Sequence, residues 1–514
     1  MKIQLKQIEE VAIVISAYVD NVAVAKMDLS AGTLLFHNNK TIELIDFVQQ
    51  GQRFSLCDIE KGESVRQYGY SFGQSKGIPA GKLVTNSNII NKLPKVELNG
   101  YKEPPEFQLK NEYSRKTFLG YKRKGRFVGT RNYYLIIPLS MCASETASQV
   151  ASFFENDNSF KQKYTNIDGI ISIPHTEGCG CGSGMQINRL ISVLKGYALH
   201  PNVGACLIID LGCEQTNMES ISKHFKSLHK PINWLTIQEC GGTDIAIKQA
   251  QKIIMGQLNK INEVEREDVS IENLVIGTEC GASDSFSGIT ANPIIGNAID
   301  RIIAGGGSAI LSEIPEMVGT FEMLLPRFRT MNIALKFKKI LDWYIDLAKR
   351  LNVSMTNNLV AKNIEGGLVN SFIKSLGAVM KGGSSVIEDV IDYASPLTKR
   401  GLSIMQGPGN DLESVTGMVA SGATIICFST GKGTITGNAI CPVIKIASNA
   451  TTFEKLSKDM DFDVSRLCHE KCSIEDLGLE LFNKIITVAS GEKTWSEKWK
   501  QRQFQVWTAG KLSL

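Results

Sequence analysis

The sequence predicts an α/β protein: parallel-sheet catalytic domains preceded by a small β-rich domain. Three observations lead there. Short β-branched segments separated by turn signals fill residues 11–85. From about Lys116, continuous apolar segments alternate with segments of helical period. A second alternation of the same kind follows about residue 345. At roughly 100–200 residues per domain, a chain of 514 residues makes about three domains. The expected division is a β-rich domain over 1–92, a linker over 93–117, an α/β catalytic domain over 118–340 and a second α/β domain over 341–514.

In the first domain, strands are expected at Val11–Val19, Val22–Met27, Thr33–Phe36, Arg53–Cys57 and Ser64–Tyr70, with a helix near Ile42–Gln50. Pro94, Pro104 and Pro105 lie in a polar stretch that no periodic segment crosses, which reads as a linker. Continuous apolar strands follow at Tyr133–Leu139, Gly169–Pro174, Gly204–Leu211, Trp234–Ile237, Leu274–Gly277 and Ser308–Ser312. Helical patterns at Ile187–Gly196, Asp244–Met255 and Ile294–Ala304 lie between them, the grammar of a mostly parallel sheet. Later strands are expected near Leu402–Met405 and Ala423–Ser429, and a helix over Ile474–Ala489.

Composition removes several function classes. Hydrophobic residues at 43% and charged residues at 21% are those of a folded chain rather than a disordered one. A net charge of +4 with no basic block argues against nucleic acid as a partner. No apolar stretch approaches the roughly 20 residues that span a bilayer, and MKIQLKQIEEVAIVIS lacks a secretory pattern. A cytoplasmic protein with no membrane partner is expected, its twelve cysteines mostly reduced thiols.

What ends each strand carries the chemistry. The expected strands run into Cys142, into His175-Thr176-Glu177-Gly178-Cys179, into Gly212-Cys213-Glu214, into Glu239-Cys240 and into Glu279-Cys280-Gly281-Ala282-Ser283-Asp284. Ligands of open parallel sheets bind outside the carboxyl ends of the strands, so these loops share one rim. A single Cys there reads first as a small packed hydrophobe, but the set reads as a site. The Gly-rich run Gly178–Gly184 suits an anion at a helix N-terminus. A dinucleotide fold is its rival, with no acidic residue clearly placed about twenty residues on. Cys179 and Cys181 are spaced by one residue, not the two of a zinc ribbon, so a metal site would have to draw on distant loops. Among six histidines, only His175 falls in such a loop. Arg131, just before the first α/β strand, suits bidentate capture of a carboxylate, with an internal acid as the competing partner.

Together these motifs resemble the altronate/galactarate dehydratase family of sugar-acid hydro-lyases. The matching segments include Gly125–Asn132 (GRFVGTRN), His175–Gly180 (HTEGCG), Gly196–Asn202 (GYALHPN), Leu211–Gln215 (LGCEQ) and Cys280–Pro293 (CGASDSFSGITANP). They continue with Leu311–Glu316 (LSEIPE), Glu365–Leu368 (EGGL), Lys374–Gly383 (KSLGAVMKGG), Cys427–Gly433 (CFSTGKG) and Ser490–Ser496 (SGEKTWS). Residues 11–85 resemble the SAF-type domain of this family through Asp20–Ala25 (DNVAVA) and Ile59–Gly69 (IEKGESVRQYG). In one departure, Thr85-Asn86-Ser87-Asn88 stands where many relatives carry His-x-His-Asn.

The resemblance implies dehydration of a polyhydroxy acid to a 2-keto-3-deoxy acid, assisted by a divalent metal, Fe2+ or Mn2+. Such chemistry needs a base for the α-proton, charge to stabilise the enediolate and an acid for the departing hydroxyl. His175, Glu214, Asp284 and Glu313 are the candidate catalytic groups, and Arg131, Asn132 and Asn292 the candidate substrate ligands. His175, Cys179, Cys213 and Cys280 are the candidate metal ligands. A homo-oligomer is expected. The alternatives are a sugar-acid-binding protein that has lost activity, which the Thr85–Asn88 departure supports, and a lyase acting on a related hydroxy or sulfo acid.

Overall fold

The computed structural model describes residues 5–91, 98, 101–106, 109–123, 128–157, 159–180, 184–225, 230–355, 363–364 and 366–508. Much of the expected linker, Cys181 and Glu365 lie outside them.

The N-terminal domain is built of short strands, as its turn signals require. Ala12–Ile13, Val22–Ala25, Arg53–Ser55 and Leu83–Val84 form an antiparallel sheet in that order. Two smaller sheets are each centred on a hairpin. The expected helix near Ile42–Gln50 does not form. Lys40–Glu43 is instead a strand, folded back on Leu34–His37. Asn38 and Asn39 between them have φ of 47° and 62°, the pair of left-handed residues a type I′ hairpin needs. Tyr68 and Gly69, with φ of 60° and 79°, do the same between Ser64–Gln67 and Tyr70–Ser75. The asparagine pair outweighs the helical spacing of the apolar residues beyond it.

Two parallel sheets follow. The first takes β1 (Tyr133–Pro138), β2 (Gly169–Ser172), β3 (Val203–Asp210) and β4 (Ile232–Thr236) in the order β2-β1-β3-β4. Helices α1 (Met141–Glu155), α2 (Met185–Leu199) and α3 (Thr243–Asn262) cover it. Apart from Gly204, no residue of β3 is more than 9% exposed, which explains its unbroken apolar run.

The second sheet has seven parallel strands: β5 (Val275–Gly281), β6 (Ser308–Leu311), β7 (Ile387–Ile391), β8 (Gly401–Met405), β9 (Ile425–Thr430), β10 (Val443–Ala447) and β11 (Phe462–Asp463). Their order is β7-β8-β6-β5-β9-β10-β11. The expected boundary at 340/341 falls inside this unit, because β5 and β6 pair with β9 and β8 from beyond it. That boundary also cuts a single helix, α6 (Met331–Arg350). Helix α5 (Ala291–Ala304) packs on α9 (Ile474–Ala489), which occupies the range its periodicity predicts.

From β5 the chain builds outward on one side through β6, β8 and β7, then returns to build β9, β10 and β11 on the other. The switch point therefore lies between the carboxyl ends of β5 and β9, where a crevice opens in folds of this kind. No helix of the described residues is long and apolar enough to cross a membrane.

Candidate active site at the sheet switch point

Strand β5 ends in Glu279-Cys280-Gly281, and the loop after β6 places Glu313 and Glu316 against it. Cys280 Sγ lies 3.6 Å from a Glu313 carboxylate oxygen and 3.3 Å from one of Glu316. Two lysines enter from the segment around α7 (Ser371–Ala378). Lys381 Nζ donates to Cys280 Sγ at 2.7 Å and is ion-paired with Glu313, while Lys374 is ion-paired with Glu316. Lys381, Glu313 and Glu279 are at most 1% exposed. Glu279 Oε2 accepts from Ser414 Oγ at 2.6 Å, and its Oε1 has no hydrogen-bond partner among the described residues. The backbone of Glu313 is left-handed, with φ of 67°, a conformation that persists only where the surroundings over-determine it.

Burial and charge push these groups apart. Burial raises the Glu313 carboxyl, the Lys381 ammonium offsets part of this, and the result is a pKa of about 7. Glu316 is as deeply buried, yet Lys374 and Lys381 outweigh that and hold it below the ordinary carboxylate value. Burial, with the charge of Glu313 beside it, keeps Glu279 well above its ordinary value. Asp411, at the start of the next helix, is pushed up to about 6, mainly by burial. Burial and then Glu313 push the Cys280 thiol well up, so it keeps its proton. Burial opposes the ammonium of Lys381, but the carboxylates around it, Glu313 first, more than compensate.

Cys280, Glu313 and Glu316 offer ligand atoms within 4.8 Å of one another, the only such set of three among the described residues. This set does not fit an added divalent ion. Lys381 already sits on the sulfur and on Glu313, and Lys374 sits on Glu316, so both lysines occupy the positions and neutralise the charge that an added cation would need.

The other expected site residues separate. His175 uses both ring nitrogens on the backbone: Nε2 donates to Pro138 O at 2.9 Å, and Nδ1 accepts from Glu177 N at 3.1 Å. Burial lowers its pKa, so it stays neutral and holds a loop. His200 makes the same pair of bonds, to Ala423 O and from Asn202 N. Glu214 accepts from Leu211 N, Gly212 N and Ser140 Oγ and laces the strand ends of the first sheet. Cys179 and Cys213 are exposed on that rim beside Cys142, apart from Cys280.

Arg131 and Asn132 stand at the start of β1, the end of the sheet opposite the rim. Arg131 is fully buried, pairs with Glu497 through Nε at 2.6 Å and Nη2 at 2.8 Å, and donates to the carbonyls of Thr130, Val488 and Glu492. Its carboxylate is internal. Asn132 bonds Asn166 O, Ile261 O and Arg123.

Asp284 and Asn292 remain at the switch point. Asp284 caps α4 (Ser285–Ile289) through Ser287 and also accepts from Ser448 Oγ and Asn449 Nδ2. Asn292 bridges Gly377 O and Ser429 Oγ. Asp284 lines two hollows. One, of about 10 Å3, is shared with Cys280, Asn292, Lys374 and Arg53 of the N-terminal domain. The other is a cleft of about 710 Å3 whose wall carries Lys432, Lys455 and His469. Sequence reasoning missed Glu316, Lys374 and Lys381 as site residues, although LSEIPE and KSLGAVMKGG contain them. Glu279 stands in the strand-end run Glu279–Asp284 without an assigned role, and nothing local marked Asp411 or Arg53.

Fold and site together define an α/β protein with a buried cluster of carboxyls, a thiol and two lysines at its switch point. Residues 11–92 match the profile "Altronate/galactarate dehydratase SAF domain", 120–262 "D-galactarate dehydratase/Altronate hydrolase, second domain" and 271–512 "D-galactarate/Altronate dehydratase, C-terminal". The chain is 32% identical to an altronate dehydratase of Escherichia coli over 96% of its own length and 98% of that protein's. It is 30% identical to an altronate dehydratase of Bacillus subtilis, covering 96% and 97%. It is also 30% identical to a galactarate dehydratase (L-threo-forming) of Escherichia coli, covering 93% of each. The chain belongs to the altronate/galactarate dehydratase family of hydro-lyases.

Proposed function

We propose that the protein removes water from a sugar acid of the altronate or galactarate class, giving a 2-keto-3-deoxy acid. One observation carries this reading: two carboxyls of one buried cluster end on opposite sides of the ordinary value, Glu313 raised by burial and Glu316 held down by Lys374 and Lys381. Such a split assigns acid and base roles. Glu313, near half-ionised at neutral pH, takes the proton from the carbon next to the carboxylate. Lys374 and Lys381 stabilise the negative charge that develops on the enediolate. The hydroxyl on the next carbon leaves with a proton from a group still protonated at pH 7, a condition that Lys381 and Glu279 meet. The enol so formed takes a proton at that carbon to become the keto acid.

The 710 Å3 cleft has the volume of a small-molecule site, and its exposed Lys432 and Lys455 suit a polyhydroxy acid with one or two carboxylates. Glu313, rather than His175, serves as the base, since both ring nitrogens of His175 are spent on the backbone.

The test is keto-acid formation from a panel of aldonates and aldarates, with and without added iron or manganese. Product from altronate or galactarate, lost in Glu313→Gln, is the expected result. No product from any acid under any condition leaves the sugar-acid-binding alternative.

A further inference from the structure

We propose that Arg53, carried by the N-terminal β domain, is the residue that receives the substrate's carboxylate, so that this domain completes the active site. The inference rests on the dehydratase reading for the identity of the acid, but its structural basis is independent.

Arg53 is 1% exposed and lies in the middle of its sheet, yet its guanidinium reaches out of its own domain. Nη1 donates to Ser285 Oγ at 3.0 Å and to Gly367 O at 2.8 Å, both in the catalytic domain. Nε donates to Gln67 Oε1 at 2.7 Å. Every one of these acceptors is neutral. Arg53 has no carboxylate partner among the described residues, and Nη2 has no partner among them at all. Burial without a counter-ion lowers its pKa to about 10. An uncompensated buried cation is strongly unfavourable in an empty protein and favourable when an anion arrives. The contrast with Arg131, saturated by Glu497 and three carbonyls, is direct.

A second observation points the same way. Gln67 Nε2, on the amide that holds Arg53, is buried beside the Tyr68 hydroxyl and makes no hydrogen bond of normal geometry among the described residues. The hollow beside Arg53 is lined by Cys280 and Lys374 of the reactive cluster and by the side chains of Ser283, Ser285 and Asn292. At about 10 Å3 it admits a water-sized group, such as a carboxylate oxygen, while the rest of an acid extends past Asp284 toward the larger cleft. Asp284, the one acid on its wall, already accepts from Ser287, Ser448 and Asn449. The arginine is set rigidly. A Cβ on Gly367 would stand 2.5 Å from Gly51 O, so the turn that leads into the strand of Arg53 is seated directly on the catalytic domain.

Arg53→Met keeps length and removes charge. Isothermal titration of the full chain with D-tartrate, sulfate and uncharged erythritol is the probe. Wild type is expected to bind tartrate and not erythritol, and Arg53→Met to bind tartrate roughly 10- to 100-fold more weakly, the loss of one charged hydrogen-bonding partner. The sulfate arm separates a general anion site from a carboxylate site. Turnover on the accepted acid should show the loss mainly in KM, with Arg53→Lys recovering part of it. Should Arg53→Met fail to fold, Gln67→Met frees the guanidinium without removing it and is expected to weaken tartrate several-fold. Tartrate affinity unchanged in a folded Arg53→Met, or absent in wild type, overturns the proposal. Failure of every sugar acid to dehydrate would instead strike the dehydratase reading and leave the titration to decide Arg53 on its own.

Discussion

Arg131→Met separates a structural arginine from a substrate clamp. In the native fold the guanidinium is fully buried, its five donors satisfied by both oxygens of Glu497 and by the carbonyls of Thr130, Val488 and Glu492. The methionine leaves a carboxylate stranded in a dry site. Removing one partner of a buried pair costs about 3–5 kcal/mol. The carbonyls of Val488 and Glu492, at the end of α9 and just beyond it, also lose their donor, so the upper half of that range is expected. Arg131 holds Glu497 below its ordinary pKa against the effect of burial. Without it, only the Thr494 backbone N–H and the charge of Lys493 oppose burial, and that pKa is expected to rise above the unfolded value. The variant's deficit therefore grows as pH rises above about 4.5, where the unfolded chain ionises more readily. The assay is urea denaturation at pH 5 and pH 8, followed by tryptophan fluorescence. Adding Glu497→Gln removes the stranded charge and is expected to restore part of the loss. KM of the folded enzyme should stay within about twofold of wild type. A stability change under about 1 kcal/mol accompanied by a KM raised tenfold would refute the structural role and return Arg131 to the substrate.

Other outcomes are expected from the same interactions. Turnover should rise with pH through an apparent pKa near 7, the value to which burial brings Glu313, and Glu313→Gln should abolish it while leaving the fold intact by circular dichroism. Lys381→Met strands Glu313 beside Glu279 and is expected to lose about 3–5 kcal/mol in urea denaturation as well as activity. Lys432→Ala and Lys455→Ala, each on the exposed wall of the large cleft, should raise KM with little change in melting temperature. His200 is held neutral by burial, its pKa lowered to about 3. The unfolded chain takes up that proton first, so this contribution is complete above pH 6.5 and declines as pH falls toward 3; His200→Gln should flatten the acid limb of the stability profile.

The alternation of apolar strands and helices from Tyr133 onward was legible because parallel strands buried on both faces admit little else. The single rim expected for the strand-end loops divides between two sheets: Cys142, Cys179 and Cys213 stand at strand ends of the first, Cys280, Asp284 and Glu313 at strand ends of the second. The domain boundary near 340 was not legible: strand order is a non-local property, and nothing near Met331–Arg350 reports that β8 will return to lie beside β6. His175 and Arg131 were plausible as chemistry because their residue types suit it. Sequence carries no record of Pro138 O or Glu497 waiting for them.

By itself the sequence determined the class of fold and the family, since each follows from local pattern and from motifs in order. Which rim residues share a site, and which of their charges survive there, was decided only when chain segments about a hundred residues apart met. Lys374 and Lys381 reach Glu313, Glu316 and Cys280 across 58 to 101 positions of sequence, and Arg53 crosses 232 to touch Ser285. Proton affinities in such a cluster depend on burial and on separations of a few ångströms, quantities that exist only in the folded chain.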